Sequence, residues 1–354
     1  MPDFVPYPAA RISAGTGGRS STVGLVLAIC LGLVACGEPG KPDAGGGDVR
    51  VVVVSDLNSS YGSTSYEPEV SLVVQRIIDD WRPDLVLAAG DMIAGQRAAL
   101  SDGEVRAMWA AFDTVVAAPL RRAGIPFGFT LGNHDGSAHP AFQRDRVLAA
   151  DYWLDPGRDP GLRFVHRTNF PFYYTFLYDD LFVLSWDATR AGLINAADEI
   201  AWVEDALGSA AARRARMRIV IGHLPLYAVA EGRNRAGEVL SQPDSLRALL
   251  ERHGVHTYIS GHHHAYYPGR RGRLELLHTG ALGQGPRPLL GTDTAYNTVT
   301  ILDVFFHADS IAYTTYRVDA GAEPAFAPVD DSALPPRLDG VNGPVYRRDL
   351  AETG

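Results

Sequence analysis

Cysteine is almost absent from this 354-residue chain. The two present, Cys30 and Cys36, both lie ahead of the expected folded body, so that body can hold neither a disulfide framework nor a cysteine-ligated zinc. Basic charge is short as well. The 32 Lys and Arg residues face 41 Asp and Glu, a net charge of −9, which excludes a surface built to coat nucleic acid. The apolar stretch at 23–34 is only twelve residues long, below the roughly 20 that a membrane-spanning helix needs. What remains, 46% apolar and 21% charged, is the balance of an ordinary globular chain. It excludes a disordered, collagenous or polytopic membrane protein.

The apolar stretch VGLVLAICLGLV follows Arg11 and Arg19, the order expected of a secretory signal peptide. The residues after it, Leu33-Val34-Ala35-Cys36-Gly37, resemble the lipobox of bacterial lipoproteins. That resemblance implies cleavage after residue 35 and lipid on Cys36. It also implies a protein held at the cell envelope, with Gly37 favouring the outer membrane or periplasmic face. Acyl chains contribute about 0.8 kcal/mol per buried methylene, so more than one chain gives stable anchoring. Residues 36–48 carry five glycines and two prolines and read as a flexible tether. Residues 319–354, with five prolines, read as a tail that is either disordered or draped on the body.

Between them, 49–318 alternates short apolar runs with helical periodicity. VRVVVV at 49–54, DLVLAA at 84–89 and PFGFTL at 126–131 are expected strands. Val70, Val73, Val74, Ile77, Ile78 and Trp81 recur at helical spacing after Pro68. Ser101 and Glu104 form a capping-box pattern ahead of a helix with Val105, Met108, Trp109, Phe112 and Val116 on its apolar face. Farther on come a hairpin about Asp179-Asp180, a helix at 197–207 and strands at 217–222, 255–260, 274–279 and a pair near 295–317. A helix carrying Leu246, Leu249, Leu250 and His253 stops at Gly254. Such alternation predicts an α/β fold with sheets covered by helices.

Five of the 11 histidines fall in glycine-led strings at predicted strand ends. The strings are Ser55-Asp56-Leu57-Asn58, Gly90-Asp91, Gly132-Asn133-His134-Asp135, Gly222-His223 and Gly261-His262-His263-His264. Sites of α/β folds assemble at the carboxyl ends of strands, and glycine lets the chain turn sharply off a strand. A single Gly-Asp is ordinarily a turn and a single Gly-His a solvated or hydrogen-bonded histidine. Five strings in order, each after an apolar strand, are hard to produce by chance. Their mixed Asp, Asn and His donors suit Mn, Fe, Zn or Mg rather than a soft metal. No nucleophile elbow or P-loop is present.

The order of these strings resembles the calcineurin-like metallophosphoesterase superfamily, over residues 51 to about 285. The resemblance implies a two-sheet β-sandwich flanked by helices and a dinuclear centre holding two divalent metal ions. It implies that Asp91 bridges them, that Asn133, His223 and His262 complete one site, and that Asp56 and His264 serve the other. His134 would lie beside the phosphate of a phosphoester substrate, oriented by Asp135. The motif gives no role to His263, which lies between two ligands and reads as a supporting or structural residue. Two divalent ions against two carboxylates leave a surplus near +2, which attracts phosphate and acidifies a bridging water for attack.

The chain departs from the family at Asn58, where most members carry His. The purple acid phosphatase branch also lacks that His but has Tyr three residues after the bridging Asp; here that residue is Ala94. Either Asn58 coordinates through its amide oxygen, or Tyr61 reaches in, or the first metal is weakly held. A rival reading follows, in which a metal-depleted fold acts as a non-catalytic binding module of the envelope. Residues 136–170, with Trp153 and Phe164, are either a lid or a surface insertion. Arg270, Arg271 and Arg273 are either phosphate ligands or a solvated turn.

Overall fold

The computed structural model describes residues 46–192, 196–321 and 325–350. The signal-peptide and lipidation readings, including Cys36, and the tether up to residue 45 lie outside the described residues. Fifteen strands and eight α-helices follow in the described chain. The strands are β1 (Val49–Val54), β2 (Leu85–Ala88), β3 (Phe127–Phe129), β4 (Arg163–His166), β5 (Tyr174–Tyr178), β6 (Leu181–Ser185), β7 (Met217–Ile221) and β8 (Thr257–Ser260). They continue as β9 (Tyr267–Arg271), β10 (Leu274–His278), β11 (Asn297–Phe305), β12 (Ser310–Asp319), β13 (Ala325–Pro328), β14 (Arg337–Gly340) and β15 (Gly343–Arg347). The helices are α1 (Pro68–Arg76), α2 (Asp102–Phe112), α3 (Ala118–Arg122), α4 (Asn133–Gly136), α5 (Gln143–Trp153), α6 (Ala196–Leu207), α7 (Ala210–Arg214) and α8 (Pro243–Arg252).

The local signals act as expected. Ser101 Oγ accepts from the Glu104 amide at 3.3 Å while the Ser101 amide donates to Glu104 Oε2 at 2.7 Å, so α2 begins with both halves of the capping box in place. Pro68 occupies the first turn of α1, where its missing N–H costs nothing. Val70, Val73, Val74 and Ile77 bury the inner face of that helix.

Six strands form one sheet in the order β13-β12-β11-β1-β2-β3, and nine form the other in the order β14-β15-β9-β10-β8-β7-β6-β5-β4. In the first, β1, β2 and β3 run parallel. Their carboxyl ends therefore release the Asp56, Asp91 and Asn133 strings side by side. In the second, β6, β7, β8 and β10 are parallel, which brings out Asp187, His223 and the His262 string together.

One buried cluster joins the sheets, taking Val53, Leu87 and Phe129 from the first and Phe176, Ile219 and Leu277 from the second. Another packs Phe182, Leu184, Val220 and Tyr258 of the second sheet against Val203 of α6 and Leu246 and Leu250 of α8.

Three segments were not legible as structure. Residues 143–153 form α5, and Trp153 stacks on Phe129 with ring centroids 3.9 Å apart. At 2% exposure it is a core residue and not part of a lid. The Arg270–Arg273 run lies on the β9–β10 hairpin, where Arg271 pairs with Asp244 at 3.3 Å and stacks on Tyr227. Arg271 is thus committed to local pairing, not to phosphate, and Arg273 lies against Glu251. In the segment past residue 318, β13 pairs with β12, and β14 and β15 form a hairpin added to β9. Leu338 and Val345 are buried there, so this stretch extends both sheets.

A hydroxyl links the sheets next to the site. Tyr174 Oη donates to the Phe129 carbonyl at 2.6 Å and accepts from the Phe129 amide at 2.9 Å. It satisfies the free edge of β3, just before the Gly132 turn. Tyr174→Phe leaves that buried N–H and C=O unpaired and should lower unfolding free energy by about 1–3 kcal/mol. Urea denaturation should show a lower midpoint with an unchanged slope.

Candidate metal centre

Three of the five strings leave their strands through an abrupt backbone reversal. Asp56, Asp91, His262 and His264 have φ values of 49°, 54°, 63° and 55°. Non-glycine residues adopt this left-handed conformation at a cost on the order of 1–3 kcal/mol each, so something must hold them there. The Asp56 amide donates to the Gly90 carbonyl at 3.0 Å, and the Leu57 and Asn58 amides donate to the Asp91 carbonyl at 2.9 and 3.2 Å. The His262 amide donates to both Asp56 carboxylate oxygens at 3.1 Å. Glycine is required beside these turns. A Cβ on Gly132 would lie 2.1 Å from Asp91 Oδ1, and one on Gly261 2.2 Å from Ser55 Oγ.

The side chains form two groups that share one carboxylate. Ligand atoms of Asp91, His223 and His262 lie within 4.8 Å of one another, as do those of Asp56, Asp91 and His264. Asn133 joins the first group, its Oδ1 3.0 Å from His223 Nε2. Asn58 is 6% exposed, and its side-chain amide makes no hydrogen bond among the described residues. It is left free to turn an oxygen toward a cation. Tyr61 is 53% exposed, and its ring lies 4.9 Å from that of His134.

The histidine nitrogens are sorted by their outer partners. His223 Nδ1 donates to the Ala89 carbonyl at 2.8 Å, leaving Nε2 3.2 Å from Asp91 Oδ2. His264 Nδ1 donates to the Gly285 carbonyl at 2.9 Å, leaving Nε2 3.2 Å from Asp56 Oδ1. His262 Nε2 faces Glu238 Oε2 at 2.8 Å, which leaves Nδ1 for the centre. Carbonyl and carboxylate partners of this kind fix tautomer and ring orientation in metal sites.

Neutral His223 would aim a lone pair at the oxygens of Asp91 and Asn133, which repels. A positive charge must sit among them. Burial opposes protonation of His223, yet Asp91 outweighs it and pushes the ring up to about 9. Burial likewise opposes ionisation of Asp91, and His223 and His134 override it to hold the carboxyl below its usual range. A divalent cation could supply that charge to His223, Asp91 and Asn133 together. Oxygen and imidazole donors without sulfur fit a hard or borderline ion.

His262 is held down to about 4, chiefly by burial, and so offers a neutral nitrogen.

His134 and Asp135 divide differently from the expectation. The His134 amide donates to Asp91 Oδ1 at 2.8 Å, and its ring Nδ1 donates to the Gly95 carbonyl at 3.2 Å. That carbonyl, not Asp135, orients the ring. Asp135 is committed to backbone: it accepts from Met92 at 2.8 Å, Ile93 at 2.9 Å and Gly132 at 2.8 Å. It staples the Asp91 turn to the Asn133 turn. Burial, then Asp91, push its carboxyl up to about 7. His263 donates to the Glu238 carbonyl at 3.0 Å and accepts from the Val229 amide at 3.3 Å, so both its nitrogens are used away from the centre.

Two supporting side chains were invisible in the sequence. Gln96 Oε1 accepts from Asn133 Nδ2 at 2.7 Å, which turns Asn133 Oδ1 inward. Glu238, held by Arg233 and Arg235, orients His262. Neither lies in a glycine-led string, and only the folded loops bring them in.

A family model described as calcineurin-like phosphoesterase matches residues 49–266. No curated protein matches the chain. Among solved structures, it is similar to a purple acid phosphatase from yellow lupin seeds, with a TM-score of 0.52 and 14% identity over 78% of this chain and 52% of that one. It is also similar to GAP50, described as the anchor in the inner membrane complex of Plasmodium, with a TM-score of 0.46 and 13% identity over 80% and 92%. A third similar structure is a 5′-nucleotidase precursor of Thermus thermophilus, with a TM-score of 0.40 and 14% identity over 79% and 53%. The chain spans about half the length of the lupin phosphatase.

Removing the shared carboxylate and removing an outer partner should differ. Asp91→Asn should lose tight binding at both positions. Glu238→Gln should weaken one position by roughly 10–100-fold and spare the other. Metal stoichiometry and affinity by titration check both, and equal losses in the two variants would contradict the assignment.

Proposed function

The chain belongs to the calcineurin-like phosphoesterase family, and from that premise we propose that it is a metal-dependent phosphoester hydrolase anchored by lipid at the cell envelope. One observation carries the reading: two groups of candidate ligands, all buried except the partly exposed His264, converge on the single carboxylate of Asp91. Asp91, Asn133, His223 and His262 would hold one divalent ion. Asp56, Asn58, Asp91 and His264 would hold the other. When bound, such ions neutralise phosphoryl charge and acidify water.

The residues of the chain do the rest. Overall the reaction adds water at phosphorus, breaks the phosphorus–oxygen ester bond and returns a proton to the leaving oxygen. His134 is the group available for that proton. Its Nδ1 is occupied with Gly95, and its Nε2 lies 4.0 Å from Asp91 Oδ2 on the partly open side of the centre. Protonated at both nitrogens, the ring stabilises the charge that develops on the phosphoryl group and donates to the leaving alkoxide. The Asp91 contact to the His134 amide fixes where that ring starts.

The location rests on Leu33-Val34-Ala35-Cys36 and on the glycine-rich stretch after it. A tether there would let the enzyme body face the periplasm while acyl chains hold the membrane. A binding role without turnover would follow if the amide of Asn58 proves too weak a ligand to keep its ion.

The deciding assay is release of nitrophenol from chromogenic phosphomonoesters and phosphodiesters, with Mn²⁺ and with chelator. Turnover should require the metal. His134→Ala should keep bound metal but slow turnover by about two to four orders of magnitude. Metal loss in that variant, or no turnover of either ester by the wild type, would overturn the reading.

Anchoring has its own check. Cys36→Ser should abolish labelling by a fatty-acid probe and move the protein from the membrane fraction to the soluble fraction. Retained labelling would remove Cys36 as the lipid site.

A further inference from the structure

Two loops flank the His262–His264 string, and they are tied to each other. Ala230 and Leu289 form an antiparallel bridge. The Glu231 amide donates to the Pro288 carbonyl at 3.0 Å, and the Leu290 amide to the Val229 carbonyl at 2.9 Å. One loop carries Arg233, whose Nη1 is 3.4 Å from His262 Nε2. The other carries Arg287, whose amide donates to the His264 carbonyl at 3.0 Å. The same loop is held over the first ligand string, because the Leu282, Gly283 and Gln284 amides donate to the carbonyls of Ser55, Asp56 and Asn58.

Positive charge there exceeds what the loops neutralise. Glu238 accepts from both Arg233 and Arg235 and also faces His262. Arg287 has no such partner. Its Nε is buried without a hydrogen bond, and its guanidinium makes no ion pair among the described residues. Arg233 Nε is buried and unpaired as well. The nearby Glu231 carboxylate is turned away, accepting from the Gly291 amide at 2.8 Å. Gly232 leaves the space that Arg287 uses: a Cβ there would lie 3.1 Å from Arg287 Nη1. Burial and then the neighbouring Arg233 make it harder for Arg287 to hold its charge. An anion would relieve this, and the planar guanidinium fork matches phosphate and carboxylate.

We infer that Arg287, with Arg233, forms an anion subsite beside the metal centre, and that the substrate is a phosphate ester carrying a second anionic group. This rests on the phosphoesterase reading and narrows it. The scissile phosphoryl group goes to the metal centre near His134, and the second anion goes to the bridged loops. Arg233 serves both parts, because it also supports Glu238 and through it His262. Arg287 serves the subsite alone, so it is the residue to change.

The test uses the full chain as wild type, Arg287→Met and Arg287→Lys, loaded with the metal that supports turnover. The substrates are propane-1,3-diol monophosphate and propane-1,3-diol bisphosphate. Wild type should show a KM for the bisphosphate lower than for the monophosphate by about tenfold or more. Arg287→Met should erase that preference, mainly by raising the bisphosphate KM. Arg287→Lys should restore part of it, since the charge survives without the fork. Absence of the preference in wild type, or its survival in Arg287→Met, overturns the subsite and leaves the phosphoesterase reading standing.

If wild type hydrolyses neither ester, that reading fails by itself. Inorganic pyrophosphate titrated calorimetrically into chelator-treated protein then decides the subsite. Binding weaker by about tenfold or more in Arg287→Met supports it, and equal affinity overturns it.

Discussion

A carboxylate buried among nitrogen and oxygen lone pairs is the constraint around which this molecule is arranged. Asp91 is 1% exposed. One of its oxygens accepts from the His134 amide, and the other faces the imine nitrogen of His223. Isolated, such a charge would cost several kcal/mol in a protein interior. It persists because the surrounding groups supply positive charge or require it. Both ligand groups include Asp91, so the same carboxylate that needs a cation also couples the two positions.

The sheets exist, in functional terms, to deliver this carboxylate and its partners to one place. Parallel pairing aligns strand ends, and five motif-bearing strands from two sheets end together at the site. The turns that follow are strained at Asp56, Asp91, His262 and His264. Backbone hydrogen bonds between the turns compensate, with the Asp135 carboxylate as a three-way staple. A titratable side chain in a motif can thus be structural, while an unremarkable carbonyl, that of Gly95, orients the His134 ring.

The two positions are unequally supported. Around Asn133, His223 and His262, every side chain has an outer partner: Gln96, the Ala89 carbonyl and Glu238. Around Asp56 and His264 the partners are Ser55 and the Gly285 carbonyl, while the Asn58 side chain has none among the described residues. An amide oxygen is a weaker donor than imidazole toward Zn or Fe, so the second of these positions is the softer place in the centre. The charged loops bearing Arg233 and Arg287 lie against the histidine string common to both.

The α/β class, most strand and helix starts, and which side chains gather at one place were legible from the sequence by itself. Each of these depends on local chemistry: apolar periodicity, a Ser101–Glu104 cap, or a glycine placed before Asp or His where the backbone must reverse. The edge strands past residue 318, the burial of Trp153 and the pairing of Arg271 depended on tertiary structure, because edge pairing and stacking are decided by distant partners. So did the roles of Gln96, Glu238, Asp135 and Arg287. Sequence spacing can mark which residues have the chemistry to hold a cation. Only the folded chain decides which nitrogen of each histidine faces inward, because that is set by a carbonyl or carboxylate from another loop.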